Sequence, residues 1–199
     1  MIAAIVLAAG ASRRFGSQKL LADLRGKPVV RWSVESVLEA RPDEVIAVVG
    51  HEGEAVRAAL KGLAVRVVEN HGWTEGIGSS LRAGVAAAGA DVDAAMIALG
   101  DQPGVDASVI ASLLDAHAER RESIVVPSYR GERGHPVIFP AAVFPELMAI
   151  RGDRGARDVI ARDRSRVTLV EVDAPLPLDV DTEDELRSMA RSAAGHSPA

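Results

Sequence analysis

No cysteine occurs anywhere in the 199 residues, so disulfides, thiolate metal sites and cysteine nucleophiles are all excluded. A broad basic surface is missing too. The formal net charge is −5, which argues against general nucleic-acid binding. The one N-terminal apolar run is too short to span a membrane, and its charges follow it instead of preceding it as they would in a secretory leader. A soluble, cytoplasmic protein with neither nucleic acid nor membrane as partner is the expectation. There is no internal repeat and no linker, so residues 1–191 read as a single domain and 192–199 as a polar, disordered tail. What the chain has in quantity is apolar character, 48% of its residues, enough at this length for a full core.

Its first nineteen residues organise the remainder. Ile2-Ala3-Ala4-Ile5-Val6-Leu7 has the length and β-branched content of a buried parallel strand. It breaks into Ala8-Ala9-Gly10-Ala11-Ser12-Arg13-Arg14-Phe15-Gly16-Ser17-Gln18-Lys19. Small residues let the backbone approach a ligand closely, and free N–H groups there can hold an anion. Two arginines and a lysine behind that turn suit a polyphosphate better than a single carboxylate. A surface turn with solvated charges is the plain alternative, but strand, small-residue turn and cations come in the order a phosphate site needs. No Gly-Lys-Ser/Thr closes a P-loop. Gly10 and Gly16 do not make the dinucleotide fingerprint.

Further along, apolar runs at 45–49, 65–68, 94–99, 124–127, 137–139 and 167–172 read as strands, with helical periodicity between many of them. One helix is opened by Pro28, and another covers 52–60. The alternation predicts βαβ units and a largely parallel sheet. His71 to Ser80 is a glycine-rich loop opening a helix with Ile77, Leu81 and Val85. Gly78, Ser79 and Ser80 there could serve a ligand or simply cap the helix. Trp73 could stack on a ring or pack. Gly100-Asp101-Gln102-Pro103 follows the strand at 94–99, where open α/β sheets bind ligands. Asp106 is available to cap the next helix, which leaves Asp101 free. His135 sits before the strand at 137–139, with a structural or a functional role. Arg151 to Arg157 is an arginine cluster spaced by glycines, suited to an anionic acceptor or to a helix start. Thr182 and Glu185 make a capping box, leaving Asp179 and Asp181 unassigned.

Leu7-Ala8-Ala9-Gly10, Ser12, Arg14, Gly16 and Lys19 together resemble the L-A-A-G-x-S-x-R-x-G-x-x-K signature of the MobA-like nucleotidyltransferases, in particular their molybdenum cofactor cytidylyltransferase branch. Phe15 stands where that family usually has methionine. The likeness extends through Trp73-Thr74-Glu75-Gly76-Ile77-Gly78-Ser79-Ser80-Leu81, Gly100-Asp101-Gln102-Pro103, Gly134-His135-Pro136, the arginine segment and Asp179-Val180-Asp181-Thr182. It implies a three-layer αβα Rossmann-like nucleotidyltransferase fold with a mostly parallel sheet and one antiparallel strand. It also implies a site in which Leu7, Ala8, Ala9, Gly10, Ala11, Ser12, Arg14, Lys19, Gly78, Ser79 and Ser80 hold the nucleotide. Trp73, His135, Arg154 and Arg157 would meet the acceptor. Asp101 and Asp181 would hold Mg²⁺, with Mn²⁺ as the alternative ion, and Arg14, Lys19 and Asp101 would carry catalysis.

The reaction so implied is NMP transfer, CMP from CTP, to a phosphorylated acceptor such as molybdopterin, with pyrophosphate released and a molybdoenzyme as the eventual partner. Ala9 stands where the guanylyl branch tends to have glycine, so GTP is second choice. A sugar transferase would want D-x-D where the chain has Gly100-Asp101-Gln102. A non-catalytic, nucleotide-dependent cofactor carrier or chaperone for a partner oxidoreductase is the remaining alternative. Pyrophosphate release separates it from the enzyme.

Overall fold

In the computed structural model, residues 1–12 and 14–192 are described, the last by its backbone alone. Arg13 and residues 193–199, all but the first of the tail expected at 192–199, lie outside the described residues. The chain opens with β1 (Ile2–Ala8), the small hairpin β2 (Asp23–Leu24) and β3 (Lys27–Pro28), then α1 (Val29–Glu39) and β4 (Glu44–Val49). Next come α2 (Gly53–Ala59), β5 (Arg66–Glu69), α3 (Ile77–Ala88), β6 (Ala94–Leu99) and α4 (Ala107–Glu119). The second half holds β7 (Ile124–Tyr129), β8 (Glu132–Arg133), β9 (Val137–Pro140), α5 (Phe144–Met148), α6 (Arg157–Arg162), β10 (Val167–Val172) and α7 (Glu183–Ser192).

The main sheet has the order β10-β7-β9-β6-β1-β4-β5, with β8 joined to β7. β1 lies parallel between β4 and β6, β5 pairs in parallel with β4, and β10 with β7. β9 runs antiparallel to both β6 and β7, as the expected odd strand. The reversal starts at Arg130-Gly131, where both residues have positive φ, the geometry of a two-residue hairpin turn.

Successive side chains of a strand face opposite ways, so β1 divides the core in two. Ala4, Val6 and Ala8 join Val30, Val34 and Val37 of α1, Val56 of α2, and Ile110 and Leu113 of α4. Ala3 and Ile5 join Leu81 and Val85 of α3, Leu147 of α5 and Val159 of α6. A helix layer therefore covers each face, giving three layers. On the second face α3 comes so close that a Cβ added at Gly84 would lie 2.4 Å from Ile5 Cγ2. That methyl sits on a β-branched carbon in a packed strand and has no free rotamer to move into. Gly84→Ala should cost about 1–3 kcal/mol, seen as a lower denaturation midpoint at unchanged slope.

His117 on α4 is buried, and its Nδ1 has no partner among the described residues. Burial holds its pKa below the ordinary 6.5, and Arg121 pushes the same way against Asp93. The folded state therefore prefers the neutral ring. Its contribution is complete above the unfolded value of 6.5 and is lost as pH falls below it, because the unfolded chain takes up the proton first. His117→Leu should flatten this part of the stability–pH curve, read by thermal melts between pH 7.5 and pH 5, a window spanning that value.

Candidate active site

The strand order changes direction beside β1: the chain winds from β1 out to β4 and β5, then returns to β6 on the other side. Open α/β sheets bind ligands in the crevice this leaves at the carboxyl ends of the strands. Here the crevice lies beyond Ala8 and Leu99, and the Gly100 N–H donates to the Leu7 carbonyl at 2.9 Å to hold the two ends together. Two contiguous cavities fill it. The first, of about 530 Å³, is lined by Leu7, Ala9, Gly10, Ala11, Arg14, Lys19, Trp73, Ser80, Asp101 and Asp181, among others. The second, of about 540 Å³, is lined by Ile97, Gln102, Arg133, His135, Phe139 and Arg157, among others. Leu7, Ile77, Leu99, Asp153 and Asp179 border both.

In the first cavity the turn after β1 presents its backbone. Among the described residues none accepts a hydrogen bond from the N–H groups of Gly10 or Ala11, so these donors are free for an anion. Ala8 lies behind the turn as a core residue. Ser12, with φ at +52°, uses its hydroxyl inside the turn, donating to Gln18 Oε1 at 2.7 Å and accepting from the Lys19 N–H at 3.2 Å.

Lys19 lies between two carboxylates. Its Nζ is 2.6 Å from Asp101 Oδ2 and 2.8 Å from Asp181 Oδ1. Burial disfavours the ammonium, but the two aspartates outweigh it and hold the Lys19 pKa above 10.5. Asp181 also meets Arg14 at 2.8 Å, and the Lys19 hydrogen bond leads in keeping its carboxyl below the usual range. Backbone fixes the pair: the Val180 N–H donates to the Asp101 carbonyl at 2.9 Å, and the Glu185 carboxylate accepts from the Asp181 and Thr182 N–H groups. Thr182 Oγ1 accepts from the Glu185 N–H at 3.2 Å, completing the capping box.

A divalent ion suits this pair. No cluster of three or more His, Asp or Glu stands ready among the described residues, but two carboxylates already gathered around one cation are what Mg²⁺ or Mn²⁺ takes alongside phosphate oxygens.

At the N-terminus of α3, Ser80 reaches the first cavity, while Gly78 and Ser79 do not line it. The Gly78 N–H donates to the Gly152 carbonyl at 3.0 Å, and Ser79 Oγ donates to the Gly76 carbonyl at 2.8 Å. Asn70 Nδ2 donates to both Ser79 Oγ and Ser80 Oγ. These groups build the loop's frame. Trp73 lines the first cavity and not the second, 5.0 Å from the His51 ring centroid to its own. It therefore lies with the residues expected at the nucleotide, away from the expected acceptor contacts.

The second cavity takes in His135 and Arg157. Burial lowers the His135 pKa, with the Ile97 backbone opposing and Arg157 reinforcing, so the ring is neutral at pH 7. Arg154 lines neither cavity and pairs with Asp158 at 3.6 Å. Sequence reasoning gave no role here to Arg133, Asp153 or Gln102, and left Asp179 without an assignment. The buried Gln102 donates to Asp179 Oδ1 at 2.7 Å. Desolvation raises the Asp179 pKa, Gln102 opposes it, and Asp101 and Asp181 add to the rise.

A crevice lined by two cations and an aspartate pair, at the switch point of the sheet in a three-layer αβα fold, is an arrangement suited to a nucleotide-using enzyme. Residues 4–172 match the MobA-like NTP transferase domain, and the chain belongs to that family: it is a nucleotidyltransferase. It is 34% identical over 193 residues to nicotine blue oxidoreductase of Paenarthrobacter nicotinovorans, covering 93% of this chain and 94% of that one. The crystal structure of Rv0371c from Mycobacterium tuberculosis H37Rv superposes with a TM-score of 0.86 at 33% identity over 96% of this chain and 98% of that one. That protein has also been solved in complex with manganese. A nucleotidyl transferase from Methanothermobacter thermautotroptrophicus, Mth528, gives a TM-score of 0.79 at 31% identity over 95% and 96% of the two chains.

Proposed function

We propose that the protein transfers CMP from CTP to a phosphorylated, pterin-type acceptor such as molybdopterin, releasing pyrophosphate, in the cytoplasm and in the service of a molybdoenzyme. The observation that carries the reading is the pair of joined cavities with Asp101, Asp181, Lys19 and Arg14 in the first and Arg133, His135 and Arg157 in the second. Gly10 and Ala11 N–H groups, with Arg14 and Lys19, hold the β- and γ-phosphates. Asp101 and Asp181 would hold Mg²⁺. Ser80 and Trp73 border the nucleoside, and Gly78 and Ser79 keep the loop beneath it in place. His135, Arg133 and Arg157 receive the acceptor, whereas Arg154 acts only at long range from its exposed position.

An oxygen of the acceptor's terminal phosphate attacks the α-phosphorus, the bond from that phosphorus to the bridging oxygen breaks, and pyrophosphate leaves with the electron pair. The attacking group is already an anion, so no strong base is required. The difficulty is charge: one anion approaches another while more negative charge gathers on the leaving group. Fixed donors and cations aimed at that charge supply most of the acceleration, and positioning supplies much of the remainder. The metal, when bound, withdraws charge from the phosphate oxygens. Arg14 and Lys19 neutralise the departing pyrophosphate.

The test is pyrophosphate release with Mg²⁺ and with Mn²⁺, using CTP, GTP, ATP and UTP in parallel, with and without purified molybdopterin. Release only with CTP and the pterin supports the full reading. Release with GTP alone keeps the mechanism and replaces the base. Nucleotide binding with no release in any combination points to a carrier. The likeness to nicotine blue oxidoreductase makes oxidation–reduction a second reading, checked by NADH consumption with a dye acceptor in the same samples.

A further inference from the structure

Gln18 is only 5% exposed although it stands in a surface turn, and its side chain ties its own loop to the turn after β4. Its Nε2 donates to the Gly10 carbonyl at 3.2 Å and to the His51 carbonyl at 3.0 Å. Its Oε1 accepts from Ser12 Oγ at 2.7 Å and, more distantly, from the Leu20 N–H at 3.4 Å. Both ends of one amide are thus used, and each partner belongs to the wall of the first cavity or to its support. Gly10 lies in the turn with the free N–H groups. His51 follows β4 and packs its ring on Trp73. The Ser12 hydroxyl passes the connection on to the Lys19 backbone N–H.

We infer that Gln18 is the positioning residue of this nucleotide site: beside the backbone bond from the His51 N–H to the Ala9 carbonyl, it holds the turn after β1 against the turn after β4, so that the Ala11 N–H and Lys19 face one triphosphate together with the Gly10 N–H. The inference rests on the nucleotide reading above. A capping role for the short helical turn at Lys19–Leu21 accounts for the 3.4 Å contact alone and leaves the two carbonyl bonds unexplained. Ala9 to Ser12 is a run of small residues, so a polar side chain reaching across it is what can hold its shape. The Gly10 carbonyl pointed at Gln18 also turns its own peptide plane, which aims the Ala11 N–H the opposite way, while the Gly10 N–H belongs to the peptide whose Ala9 carbonyl accepts from the His51 N–H at 3.2 Å. The residue touches no phosphate in this arrangement. It acts through the backbone it orients.

The test uses the full chain, titrated by calorimetry in Mg²⁺ with CTP and with CMP, or with GTP and GMP if wild type prefers guanine. Gln18→Ala removes the bonds. Gln18→Met removes them while keeping the volume and the absence of charge. Both variants should bind the triphosphate about 30-fold more weakly than wild type, as expected for two or three lost bonds, and the monophosphate less than about threefold more weakly. KM for the triphosphate should rise by a similar factor with a much smaller change in kcat. Thermal melts show whether each variant is folded, and Gln18→Met carries the test should Gln18→Ala melt early. Wild-type triphosphate affinity in Gln18→Met would show that the residue only fills space, which overturns the inference, as would equal losses for mono- and triphosphate. A wild-type protein that binds no nucleoside triphosphate at all would instead remove the nucleotide reading beneath it.

Discussion

Asp101→Ala should lose turnover by at least about a thousandfold, the scale of removing a preorganised electrostatic group from a transition state. It should still unfold in one cooperative transition. The Asp101 side chain is partly exposed in the crevice and belongs to none of the core clusters, so its removal opens no cavity in the core. Its backbone carbonyl, which accepts from Val180, survives the substitution. The local structure should therefore persist with one metal carboxylate gone. Pyrophosphate release and a thermal melt on the same preparation decide the matter. Full activity in Asp101→Ala would remove the metal assignment.

Lys19→Met should act in two opposite directions. Turnover should fall by about a hundredfold or more, because a charge-assisted contact to the triphosphate is lost. Affinity for Mn²⁺ in the absence of nucleotide should rise, because the ammonium that occupies the space between Asp101 and Asp181 is gone. The Lys19 pKa lies above the ordinary lysine value, so its proton does not leave at neutral pH and the cation must move as a whole. Electron paramagnetic resonance of Mn²⁺ without nucleotide reads the second effect separately from activity. Unchanged Mn²⁺ affinity would mean that the ion sits elsewhere.

Much of the fold was legible because its signals are local. A run such as Ile2 to Leu7 announces a buried strand by its own composition, and Asp106 and Thr182 announce helix starts by the residues two and three places on. Both caps are present: Asp106 Oδ1 accepts from the Ser108 N–H at 2.8 Å, and Thr182 pairs with Glu185. Asp101 and Lys19 could be picked out for the same reason, since each follows a strand within a motif of distinct residue types. What escaped depends on distant partners. Asn70 engages both Ser79 and Ser80, and Gly152 accepts from Gly78, so a stretch that reads as open donors is partly internal framework. Gln18 and Gln102 carry no charge and no pattern, and only the folded chain shows that each reaches across to another segment.

The link between Val180 and Asp101 also has a meaning in time. The last strand of the sheet ends at Val172, and one carboxylate of the pair arrives only afterwards, with Asp181 and the capping box that opens α7. A chain that has paired all of its strands still lacks one carboxylate of the proposed metal pair until the segment beyond β10 folds back against Asp101. On the proposed function, competence waits for that last segment, and a chain broken off after β10 should release no pyrophosphate.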